Sequence, residues 1–79
     1  MNDRRRKKVE RVAEKVLDAT TDLIEICTNE QEAFDNMPES IQFSTRGDEM
    51  QEILDVLDQV VGELEDAMTN LYTHIVGED

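Results

Sequence analysis

Apolar residues recur in this chain at alternating steps of three and four, pause, and then resume with the same rhythm. The first run is Val9, Val12, Val16, Ala19, Leu23, Ile26, Ala33 and Met37, with only Glu30 out of pattern. The second is Met50, Ile53, Leu57, Val60, Leu64, Ala67 and Leu71. Steps of this kind keep one side of an α-helix apolar at every turn, as in a heptad seam.

Both stripes are wider than a two-stranded seam. Ala13, Cys27 and Phe34 sit one residue beyond the second seam position, and Leu54, Val61, Met68 and Ile75 repeat beside the second stripe. Three apolar positions in seven is the width of a bundle helix. The spacing predicts helices over about residues 4 to 35 and 46 to 76, each roughly 45 Å long at 1.5 Å per residue.

A connection as short as residues 36–45 folds such helices back on each other, so the expected class is all-α: one antiparallel helical hairpin domain with a short helical turn in its connection. A lone hairpin would leave Leu17, Ile24, Leu54, Val61 and Met68 partly in water. The economical remedy is a homodimer forming a four-helix bundle; the rival is a monomer with the short helix folded over the open side. The residues expected in the core or dimer contact are Val16, Leu23, Ile26, Phe34, Ile53, Leu54, Leu57, Val60, Val61, Leu64, Met68 and Leu71. At 79 residues with 4% aromatics and no Trp, one small core barely offsets the entropy of folding, which favours help from a partner.

The pause, "FDNMPESIQFSTRG", holds the only proline and two of the three aromatics. Asn36 followed by Glu39 has helix-start spacing, and Pro38 is tolerated in a first turn. The residue before a proline is pushed from helical geometry, so Met37 is expected to close the first helix. Residues 38 to 42 then read as one helical turn, with Ile41 and Phe43 placed to plug the bundle end. Ser44 or Thr45 caps the second helix, Thr45 with Asp48 in the looser capping-box form. The functional alternative is a recognition loop exposing Met37, Ile41, Phe43 and Arg46.

Charge is divided unevenly. Twenty acids against eight bases give −12, yet residues 1–15 carry a local +4 and residues 16–79 a balance of −16, with Arg46 their only cation. This argues against direct nucleic-acid binding except through a basic N-terminal arm, Arg4, Arg5, Arg6, Lys7 and Lys8. In a hairpin that basic start would lie beside Glu78 and Asp79. On the second helix Glu52, Asp55, Asp58, Glu63, Glu65 and Asp66 fall outside the apolar stripe and form a candidate acidic binding face.

Reaction chemistry is not apparent. His74 and Cys27 are each alone, which leaves neither a zinc spacing nor a nucleophile–base pair, and the three glycines, Gly47, Gly62 and Gly77, are scattered. His74 is expected as a half-buried packing residue. The acidic pairs, such as Asp55 with Asp58, read as a solvated face rather than a cation site. The expectation is no enzyme, no metal and no cofactor. A single cysteine suits a reducing compartment, and no apolar run reaches the ~20 residues a membrane span needs, so a cytoplasmic setting without membrane contact is expected.

The stretch "EQEAFDNMPESIQFSTRGDEMQEILDVLDQ", Glu30 to Gln59, resembles small acidic helical proteins of tailed phages and prophages that share an "EQEAFDN-PES" corner. This chain departs from that pattern at Met37 and over Phe43 to Thr45. The resemblance implies a phage-type gene expressed in a bacterial host cytoplasm and carries no activity with it.

Two functions follow as expectations. One is a non-enzymatic interaction protein whose acidic surface binds and inhibits or regulates a basic host protein, through mimicry of a nucleic-acid backbone. The other is a self-assembling structural module with no foreign target. A small-ligand binder, with Arg46 or Lys15 holding an anion, is a third class.

Overall fold

A computed structural model describes residues 1–77. Helix α1 spans Asp3–Asp35, α2 spans Glu39–Gln42, and α3 spans Thr45–Leu71 and continues as a π-helical turn, Tyr72–Val76. No strand occurs among the described residues, so the all-α class read from the periodicity is the class the chain adopts.

The molecule is a rod of 58 × 15 × 13 Å. A helix of 33 residues is already about 50 Å long, so α3 has room only alongside α1, where the two are in contact, and α2 lies against α3.

The start of α1 is capped by Asn2, whose side-chain oxygen accepts from the Arg5 amide at 2.9 Å. Arg4, Arg5 and Arg6 follow at once, against the helix dipole. The side facing α3 consists of Val9, Ala13, Val16, Thr20, Leu23, Cys27 and Phe34; the side facing α1 consists of Met50, Leu54, Leu57, Val61, Leu64, Met68 and Leu71.

In both helices the second column of the contact is therefore one residue later than the simplest seam. Ala13, Leu54 and Met68 are 0%, 3% and 7% exposed, whereas Val12, Ile26 and Ile53 are more than half exposed. The expectation that Leu54 and Met68 would be left partly in water is corrected, since α1 covers them; Val61 is half-buried, and Leu17 and Ile24 stay open. Small side chains explain the choice. Ala13 and Thr20 let the helix backbones approach, and the bulk is supplied by Leu54 and Met68 from the other side. Thr20 is 1% exposed, and its hydroxyl donates to the Val16 carbonyl at 2.7 Å, so this polar group is buried without an orphaned donor.

The corner differs from its expected form in three ways. Helix α1 ends at Asp35, near its expected limit, but Asn36 and not Met37 closes it as the C-cap, donating its amide to the Glu32 carbonyl at 3.0 Å; Pro38, not Asn36, precedes α2. Gln42 turns inward and donates from Nε2 to the Phe34 carbonyl at 2.9 Å, which also accepts from the Met37 amide at 3.1 Å, and to the Asp35 carbonyl at 3.4 Å. Phe43 points away at 84% exposed, with Ile41 also exposed, so neither plugs the end of the rod.

Ser44 caps α3, accepting from the Gly47 amide at 3.4 Å. Gly47 is buried because α2 crosses over it: a Cβ there would strike the Gln42 carbonyl and lie 2.6 Å from the Ile41 oxygen. Gly62, in contrast, faces solvent with no atom within 4 Å of a built Cβ. His74 is exposed on the π-helical turn, which corrects its expected packing role. The expected pairing with Glu78 and Asp79 lies outside the described residues.

Candidate interaction surfaces

Two long sides of the rod differ in chemistry. One is an open cleft of about 430 Å³ lined by Ile24, Cys27, Thr28 and Gln31 from α1 and Leu54, Asp58, Val61 and Glu65 from α3. It continues where Leu17 meets Met68 and Tyr72. As the α1 residue number falls, the α3 number rises, so the two helices run in opposite directions.

That direction decides the other side. Val12, Ala19, Ile26 and Ala33 each precede a contact residue of α1 by one position, as Ile53, Val60 and Ala67 do on α3. On oppositely directed helices these equivalent columns fall on the same side of the pair. The result is one apolar face, with Val12 54%, Ile26 51%, Ile53 54% and Val60 36% exposed. Val56, 54% exposed, borders it in a shallow groove with Glu49, Glu52 and Ile53.

The residues expected in the core or dimer contact thus divide. Leu54 and Met68 are buried; Val16, Leu23, Phe34, Leu57, Val61, Leu64 and Leu71 are half-buried between the helices; Ile26, Ile53 and Val60 stand on the exposed apolar face. The sequence held the signal for this face in its stripe width, but not which column would be covered.

The six acids proposed as a face are all exposed, but they are not gathered on one surface. Asp58 and Glu65 rim the cleft, Glu52 borders the Ile53 groove, and Asp55, Glu63 and Asp66 complete the outward arc of α3. Sequence reading missed how this one-sign arc is held: glutamines take the place of cations. Gln51 donates to Asp55 and Gln59 to Glu63, each at 3.0 Å and one turn apart, and Gln31 does the same to Asp35 on α1. The spacing of Gln four residues before an acid was the available clue.

The basic residues Arg4, Arg5, Lys7 and Lys8 are exposed and Arg6 is half-buried. All five lie within α1, so they form a helical end and not a loose arm. Among the described residues no three His, Cys, Asp or Glu side chains converge as a metal would require, and no helix is long and apolar enough to cross a membrane. No family model matches the chain, and no curated protein or solved structure shows significant similarity to it.

Proposed function

We propose that this chain is a non-enzymatic interaction protein: a helical hairpin that self-associates through its apolar face into a four-helix bundle and offers its acidic outer arc to a basic protein. The observation that carries the first half is the single apolar face, where Ile26, Ile53 and Val60 remain open. A chain of 79 residues gains little by displaying such a surface to water and much by covering it.

The second half rests on charge. Residues 16–79 carry −16, and the α3 carboxylates stand along a rigid rod, some fixed by glutamine donors. Rows of fixed negative charge attract proteins built to hold a nucleic-acid backbone. A phage-type inhibitor or regulator of a host nucleic-acid-binding protein fits this surface.

Capture from a bacterial lysate tests the reading. The expected partner is basic and leaves the column as salt rises, and replacing Asp55, Asp58, Glu63 and Asp66 by Asn or Gln abolishes capture. Capture unchanged by those replacements contradicts the mimicry. A chain that dimerises yet retains no partner supports the second reading, a self-assembling module, which the apolar face alone sustains.

A further inference from the structure

We infer that the cleft between α1 and α3 receives an amphipathic, positively charged helix of a partner protein, lying along the rod as a third helix. The inference rests on the reading of a basic partner given above and deepens it, by placing that partner's contact in the cleft and not along the whole acidic arc.

The floor of the cleft is mostly apolar and regular. Leu17, Ile24 and Gln31 follow at seven-residue steps on α1, and Leu54, Val61 and Met68 do so on α3. Seven residues are about two helical turns, roughly 10.5 Å. Both walls therefore repeat at the spacing with which a guest helix presents its own apolar residues. Leu17 and Ile24 are exposed, as is Tyr72 beside Met68, so nothing among the described residues covers this surface. From Leu17 to Gln31 the cleft runs about 21 Å, room for a guest of roughly four turns.

Charge selects the occupant. Glu32 from α1 and Asp58 and Glu65 from α3 line the cleft, and none of the described residues lining it is a cation. Asp58 and Glu65 also stand seven residues apart, so the carboxylates keep step with the apolar floor. Lys or Arg side chains flanking the apolar stripe of a guest would lay their stems over Ile24 and Val61 and bring their charge to these carboxylates. A helix of a second copy, taken from beyond residue 15, would instead bring carboxylates against carboxylates, because Arg46 is the only cation there. The exposed apolar face suits a cation less well: Lys8 and Lys15 precede Val12 and Ala19 by four residues and stand on its rim.

Cys27 lines the cleft and is the only cysteine, so its alkylation reports what fills the site. The probe is a synthetic peptide of about four turns made of Leu, Ala and Lys, with Leu at steps of three and four and Lys on both flanks. Controls are the same composition scrambled and the striped peptide with Glu in place of Lys. At about 0.15 M salt the striped Lys peptide is expected to bind about tenfold more tightly than either control and to slow alkylation of Cys27 several-fold. Asp58→Asn with Glu65→Gln is expected to weaken binding about tenfold, while Glu49→Gln with Glu52→Gln, beside Ile53, leaves it unchanged. Equal binding of the scrambled peptide, or of the Glu peptide, overturns the inference. Binding that is lost on replacing Glu49 and Glu52 but not Asp58 and Glu65, with Cys27 unprotected, overturns the cleft and leaves the basic-partner reading standing. Protection of Cys27 by raising the concentration of the chain alone makes a second copy the occupant and also overturns it. Absence of binding by either Lys peptide overturns the inference and the basic-partner reading together.

Discussion

Gln42 donates its side-chain amide to the Phe34 carbonyl at 2.9 Å, joining the short corner helix to the end of the long one before it. The Phe34 carbonyl also accepts from the Met37 amide at 3.1 Å, so Gln42, itself half-buried, adds a second donor at the end of α1. Gln42→Ala is expected to cost about 1 to 2 kcal/mol in chemical denaturation. Gln42→Glu costs more at neutral pH, since a carboxylate cannot donate and would face two carbonyls.

Two glycines give opposite outcomes on replacement. Gly47→Ala drives a methyl group into the Gln42 backbone carbonyl, so the corner must move and the melting temperature falls. Gly62→Ala meets open space on an exposed helix position and stabilises by something like 1 kcal/mol. Thermal melts of the two variants, read by helical circular dichroism, check the pair; a stabilised Gly47→Ala would contradict the corner geometry.

The two long helices and the break between them were legible because apolar period and a lone proline act locally. The register of the contact was not. Val12 with Ala19 and Ala13 with Thr20 repeat with the same period of seven, and hydrophobicity favours the first pair. Close approach of two backbones favours the second, since Ala13 is 0% exposed and Thr20 1%. Gln42 was hidden for a related reason: its role depends on α2 folding back toward Phe34, which no neighbouring residue announces.

Neighbouring residues on α3 separate folding from association. Leu54→Ala, at a site 3% exposed, is expected to cost about 2 to 3 kcal/mol and to lower stability at every concentration. Ile53→Ser, at a site 54% exposed, leaves helicity near that of the parent when concentrated but shifts the mass toward monomer. Denaturation and light scattering on both variants measure the two effects. Equal loss of stability in both would contradict the assignment of Leu54 to the interior and Ile53 to the outside.

Salt is expected to stabilise the chain. With −12 overall and one cation beyond residue 15, carboxylates repel along most of the rod, and ions at about 0.5 M shorten the reach of that repulsion to a few ångströms. The melting temperature therefore rises between low and high salt. A fall would mean that ion pairs dominate the charge balance.

The mass of the chain in solution tests the central claim most directly. Light scattering over a dilution series is expected to give twice the 9.1 kDa of one chain, falling toward one chain only as the sample is diluted, with helicity falling alongside. A single compact chain of 9.1 kDa at every concentration, melting cooperatively at a temperature that dilution does not move, would contradict it.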